Sequence, residues 1–187
     1  MFFAKRNFDQ ESDESLMQAV ANGNERAFAA LYDRYSVRIH RFFVRMLQGD
    51  FARAEDLTQD LFLKVIEKAG YFDPEKSFRT WLYVLAYNLC KNEFRRPPAP
   101  VPMEETVEEE IFEKMDRELF DQRLRICIDH LGETHQTCFV LRYQEGLSIL
   151  EIAEIIGCPE GTVKSRLHHA LRQVCAQMEF WIYERKN

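Results

Sequence analysis

Pro97-Pro98-Ala99-Pro100-Val101-Pro102 packs four of the chain's six prolines into six residues. Each proline fixes φ, removes an amide donor and disfavours helix in the residue before it. Met103-Glu104-Glu105-Thr106-Val107-Glu108-Glu109-Glu110 follows, so the segment reads as a stiff and then a charged linker. A surface loop inside one domain is the alternative, disfavoured because long structureless loops are rare within domains. The expected organisation is a domain over 1–96, a linker over 97–116 and a second domain over 117–187. At 187 residues the chain is long enough for two such small domains.

Charge follows the same division. The net charge of −6 argues against a nucleic-acid partner only until it is located. Residues 1–96 carry 15 Lys/Arg against 14 Asp/Glu, residues 97–116 carry 1 against 7, and residues 117–187 carry 9 against 10. The excess acid lies in the linker, and each near-neutral half can still present a basic face. No apolar run reaches the roughly 18–20 residues that span a bilayer, and Met1–Arg6 leads into Asp9, Glu11 and Asp13 with no apolar signal segment. The five cysteines are odd in number and form no C-x-x-C pair, which disfavours a disulfide framework or structural zinc. The expectation is a soluble, cytoplasmic protein with no membrane insertion.

Helical spacing dominates and no alternating strand stands out. Helices are expected at about Glu14–Ala21, Glu25–Leu47, Ala52–Ala69 and Ser77–Arg96, then at about 111–131, 134–144, 148–156 and 160–182. The fold class is therefore all-α: two small helical domains joined by a Pro-rich acidic linker, the second containing a helix-turn-helix. That motif rests on Ser148 and Glu151, which form a capping box, on Gly157, which ends the first short helix, and on Pro159, which suits the start of the next. The second helix should bury Val163, Leu167, Ala170, Leu171 and Val174. Its other face collects Thr162, Ser165, Arg166, His168, His169 and Arg172, with Lys164 at the edge. A face of donors and cations without an acid suits phosphates and base edges in a major groove. The alternative is the solvated side of a structural hairpin. Adjacent His168 and His169 point about 100° apart, which disfavours a shared metal.

Two further constellations lie in the first half. In the helix around Ala52–Ala69, the buried arc takes Ala54, Leu57, Leu61, Phe62, Val65, Ile66 and Ala69. Leu63 falls among Asp56, Gln59, Asp60, Lys64 and Glu67 on the outward side, an apolar residue ringed mainly by acid, as a basic protein partner would require. A stray exposed leucine has the same appearance. The loop Tyr71–Ser77 and the helix after it place Tyr83, Tyr87 and Phe94 beside Thr80, Lys91 and Arg95, opposite a stripe of Phe78, Leu82, Leu85 and Leu89. Rings interleaved with cations suit unstacked single-stranded bases. The competing reading buries both stripes in core.

The order of these motifs is more specific than any one of them. Ala54-Glu55-Asp56-Leu57-Thr58-Gln59-Asp60-Leu61-Phe62, then Phe78-Arg79-Thr80-Trp81-Leu82, then the linker, then Gly146-Leu147-Ser148 with Glu151-Ile152-Ala153, then Gly161-Thr162-Val163-Lys164-Ser165-Arg166-Leu167 resembles a bacterial RNA polymerase sigma factor of the extracytoplasmic-function group. The likeness runs from about Glu14 to about Val174. It implies a transcription initiation factor that is not an enzyme and needs no cofactor and no metal, a monomer when free. Its implied partners are core RNA polymerase, promoter DNA both duplex and single-stranded, and an anti-sigma factor.

Asp56, Gln59, Asp60 and Leu63 match the surface that grips the clamp helices of the polymerase largest subunit. The loop and helix carrying Tyr71, Phe72, Lys76, Ser77, Arg79, Trp81, Tyr83, Tyr87, Asn88, Lys91, Arg95 and Arg96 match the part that holds the non-template strand of the −10 element. Thr162, Lys164, Ser165, Arg166, His168, His169 and Arg172 match the −35 recognition helix. Gly132 stands where many relatives have proline, and residues 1–12 and the tail around Trp181 have no clear counterpart. Two rivals stand beside this reading: a regulator that uses the helix-turn-helix without polymerase, and an enzyme built on the His and Cys residues, of which His40, His130, His135 and the His168-His169 pair show no ligand spacing.

Overall fold

The computed structural model describes residues 10–95 and 112–186. Among them, regular structure is helical: α1 (Asp13–Ala21), α2 (Glu25–Met46), α3 (Phe51–Glu67), α4 (Phe78–Phe94), α5 (Phe112–Asp129), α6 (Glu133–Phe139), α7 (Ile149–Ile156) and α8 (Glu160–Lys186). A 3-10 turn at Ala69–Tyr71 precedes α4, and Val140–Gln144 continues α6 as a π-helical turn. The helices form two compact units, one holding α1–α4 and the other α5, α6, α8 and the first part of α7. Most of the expected linker lies outside the described residues, and its last residues, from Phe112, already belong to α5.

Short polar side chains start the helices of the first unit. Ser12, Asn24, Asp50 and Ser77 each accept a backbone N–H in the first turn of the helix they precede. Gln48 and Gly49 take positive φ between α2 and α3, which lets the chain reverse tightly. Leu31, Ile39, Phe42, Phe43 and Met46 of α2 are buried to 1% exposure or less, against Leu57 and Leu61 of α3 and Phe78 and Leu82 of α4 in the same core. The α4 N-terminus is also tied to α1, because the Phe78 amide donates to Glu14 Oε1 at 3.0 Å.

In the second unit α8 is the long element, with α5 and α6 packed against it. Val163, Leu167, Ala170, Val174 and Met178 form its buried stripe. Leu171, expected on that stripe, is 37% exposed. At about 100° per residue it falls at the rim, roughly 80° from Val163. The end of α8 carries Trp181, whose ring meets Phe120 of α5 edge-on with centroids 6.5 Å apart. No helix among the described residues is long and apolar enough to cross a membrane.

Candidate functional site

The helix-turn-helix forms as its local signals require. Ser148 Oγ accepts the Glu151 amide at 3.2 Å, and Glu151 Oε2 accepts the Ser148 amide at 2.8 Å. Gly157 ends α7 in the left-handed region at φ 67°, and the Cys158 amide returns to the Ala153 carbonyl. The Thr162 and Val163 amides then bond to the Pro159 carbonyl and open α8. Lys164, Ser165, His168, His169 and Arg172 are exposed, and Thr162 is partly so. His169 lies 6.2 Å ring to ring from His135 of α6 and 5.9 Å from His168. No group of three metal-binding side chains occurs among the described residues.

Arg166 behaves differently from its neighbours. It is only partly exposed, and its Nη1 turns back to within 3.9 Å of Cys158 Sγ at the turn. Helical spacing accounts for this, since Arg166 stands about 60° from Val163, at the rim of the buried stripe rather than in the middle of the outward face.

On α3, Asp56, Gln59 and Asp60 are exposed and Leu63 is 59% exposed. Ile66, expected in the core, is 48% exposed and extends this apolar spot by one turn. The i, i+3 relation to Leu63 was the available signal; its position late in the helix, next to Val65, made it look like core. Arg53 underpins the surface. Its Nε and Nη2 donate to the two Glu93 oxygens of α4 at 2.9 Å each, while Nη1 reaches Asp56 Oδ2 at 3.3 Å. Glu93 holds the guanidinium above its ordinary pKa.

The loop before α4 divides its aromatic residues between surface and core. Tyr71 is 88% exposed, whereas Phe72 is packed edge-on against Phe78 and Trp81 at 6.0 and 5.4 Å. Asp73 Oδ1 accepts the Glu75 amide and its carbonyl accepts the Lys76 amide, a turn that leaves Lys76 and Ser77 exposed. Ser77 Oγ accepts the Thr80 amide. Arg79, Trp81 and Tyr87 are partly exposed, and Asn88, Lys91 and Arg95 are exposed. Trp81, Asn88, Lys91 and Arg95 fall within about 80° of one another and line one side of α4. Arg96 lies outside the described residues.

Tyr83 corrects the sequence reading. It is fully buried, with its ring perpendicular to Phe42 at 5.5 Å, and presents no face for a base. Thr80 is buried as well. α4 packs against α1, α2 and α3 together, so its buried arc is wider than one stripe and takes in Phe78, Leu82, Tyr83, Ala86 and Cys90. Phe72, at 9% exposure, belongs to the same core edge.

One unit thus carries an acid-rimmed apolar patch and an aromatic loop, and the other a helix-turn-helix. Residues 31–97 match the family model described as Sigma-70 region 2, and residues 121–174 match Sigma-70, region 4. The RNA polymerase sigma-H factor of Pseudomonas aeruginosa is 35% identical over 179 residues, 86% of this chain and 91% of that protein. The ECF RNA polymerase sigma-E factor of Escherichia coli K12 is 32% identical over 180 residues, 87% of this chain and 92% of that protein. Among solved structures, CnrH in complex with the cytosolic domain of CnrY has a TM-score of 0.70 at 24% identity, over 90% of this chain and 98% of that one. The sigma factor RpoE of Bartonella quintana, in complex with the anti-sigma factor NepR, has 0.65 at 19% identity, over 81% and 96%. Both structures share the fold.

The chain belongs to the extracytoplasmic-function group of RNA polymerase sigma factors. It is accordingly a non-catalytic factor of transcription initiation that acts with RNA polymerase in promoter recognition.

Proposed function

We propose that the two units divide the promoter between them. The α3 surface of Asp56, Gln59, Asp60 and Leu63, widened by Ile66, docks on the basic clamp helices of the polymerase largest subunit. The loop from Tyr71 through Lys76 and Ser77, with Arg79, Trp81, Tyr87, Asn88, Lys91, Arg95 and Arg96, holds the non-template strand of the −10 element. Tyr83 and Phe72 support that surface from beneath. Thr162, Lys164, Ser165, Arg166, His168, His169 and Arg172 meet the −35 duplex, Arg166 from the rim of the helix beside the turn. In this division 1–96 is the −10 and polymerase-binding domain, 97–116 the linker and 117–187 the −35 domain. The acidic linker occupies a cationic polymerase channel that otherwise holds nucleic acid.

Strand opening follows from an imbalance of contacts. Unstacking costs about a few kcal/mol per step. Stacking on aromatic side chains returns roughly 1–3 kcal/mol per base, and only to the separated strand. The free protein is a cytoplasmic monomer, and an anti-sigma factor covering either surface would hold it inactive.

The observation that carries this reading is the α3 patch, where a leucine 59% exposed stands among exposed acids on a helix whose other side is core. The test is capture of purified core polymerase by wild-type protein and by Asp60→Lys and Leu63→Glu, with far-UV circular dichroism confirming that each variant is folded. Wild type should bind and both variants should lose at least tenfold in affinity. Unchanged binding by folded variants would remove α3 from the docking surface.

A further inference from the structure

Three histidines from two helices meet at one edge of the second unit. His135 of α6 and His169 of α8 lie 6.2 Å apart, ring to ring, at an interplanar angle of 80°, and His168 lies 5.9 Å from His169. His168 and His169 are exposed and His135 is partly so. Among the described residues the three rings meet one another and make no hydrogen bond or ion pair to any other group.

Helical spacing fixes where this edge lies. His169 stands about 20° from Thr162 and about 40° from Ser165, so it continues their row on the outward face of α8. It lies about 10 Å beyond Thr162 along the helix axis. The first residues of a recognition helix reach base edges in a groove about 12 Å wide. A residue this much further along meets the sugar–phosphate backbone at the rim of the groove. Because α6 packs against α8, His135 reaches the same rim from a second helix. The charged neighbours on α8 are Arg166 and Arg172, and no acid occurs from Gly161 to Arg172. On α6, Glu133 stands about 160° round the helix from His135. At the end of α5, Asp129 Oδ1 accepts Gln136 Nε2 and the His130 carbonyl accepts Gln173 Nε2, each at 3.3 Å. Arg142, in the turn after α6, donates to the Leu147 carbonyl.

We propose that His135 and His169, when protonated, hold one backbone phosphate beside the −35 element, so that affinity for this element rises as pH falls. This rests on the reading of α8 as the −35 helix, and it adds a residue from outside that helix. Histidine is the side chain that gains its charge between pH 8 and pH 5. Two imidazolium rings 6.2 Å apart repel one another in the free protein. A phosphate between them offsets that repulsion and accepts a charge-assisted hydrogen bond from each ring. DNA binding therefore takes up protons, and by linkage a lower pH favours the bound state.

The test uses holoenzyme assembled from the full-length chain and core polymerase. Anisotropy measures its affinity for a labelled promoter fragment selected by the holoenzyme, at pH values of about 6 and about 8 and over a range of salt. Wild type is compared with His135→Asn at each pH, so that titration of the polymerase cancels, and circular dichroism confirms that the variant is folded. The two proteins should agree within about twofold at the higher pH, and wild type should bind about tenfold more tightly at the lower, the worth of one charge-assisted bond. The wild-type dependence of log affinity on log salt should steepen by about 0.9 at the lower pH, as one more phosphate is neutralised. The variant should show no such change. His135→Lys, charged at both pH values, should restore tight binding at the higher one. A wild-type-to-variant ratio that is the same at both pH values, or a salt dependence that does not steepen, overturns the proposal. If His135→Asn does not fold, the exposed His169→Asn decides by the same two readings. A failure of the −35 reading appears separately: wild-type holoenzyme would then ignore scrambling of the −35 element at either pH.

Discussion

Tyr83 and Tyr71 lie twelve residues apart and make opposite predictions. Tyr83 is fully buried and its ring meets Phe42 edge-on, whereas Tyr71 is 88% exposed. Deleting a buried aromatic side chain costs about 3–5 kcal/mol. A domain of this size has about 5–15 kcal/mol to lose. Tyr83→Ala should therefore unfold the first unit at much lower urea, while Tyr71→Ala should leave its midpoint within about 0.5 kcal/mol. The chain's two tryptophans, Trp81 and Trp181, stand one in each unit, so in a Trp181→Phe background fluorescence reports the first unit alone. Promoter opening, followed by permanganate reactivity of −10 thymines, should fall with Tyr71→Ala despite its full stability. Tyr83→Ala at normal stability with opening lost would refute the reasoning, because the ring would then act on DNA and not in the core.

Three further outcomes follow from the packing. Burial first, and then the hydrogen bond that Tyr35 donates to Asp13, hold the Tyr35 phenol above its ordinary value of about 10. Since the folded pKa is raised, the contribution is complete below about pH 10 and is lost as pH climbs beyond it. Urea midpoints of the first unit should fall steeply there, and Tyr35→Phe should flatten that fall. Arg53 and Glu93 are bonded through two 2.9 Å contacts with side chains 25% and 18% exposed. A double-mutant cycle at the two positions should return about 1–2 kcal/mol, above the usual surface pair; a coupling near zero would make the contact incidental. Gly132 precedes α6 at φ −61° and ψ 146° without a side-chain cap. Gly132→Ser should raise the second unit's stability by about 0.5–1 kcal/mol, by supplying the cap acceptor and restricting the unfolded chain, read as the Trp181 midpoint in a Trp81→Phe background.

What was legible in the sequence is what short stretches determine by themselves. Ser148 and Glu151 need only an i, i+3 spacing to build a capping box, and Gly157 needs only its own freedom at positive φ to end α7. The helix-turn-helix could thus be read in place. The acid-rimmed Leu63 was equally local, because helical spacing alone puts Asp56, Gln59 and Asp60 around it. Tyr83 was not local. Its fate depends on how many helices touch α4, and the sequence of α4 reads the same whether one neighbour or three cover it. Burial of Cys90 on the same arc shows the cause, since a helix enclosed on three sides keeps little of the amphipathic contrast that periodicity detects. Arg166 reads as one more cation on the outward side, yet its spacing of about 60° from Val163 puts it at the rim of the buried stripe, where its Nη1 lies 3.9 Å from Cys158 Sγ. For Tyr83 the missing information is contact across the sequence, which puts a ring expected on DNA into the core against Phe42.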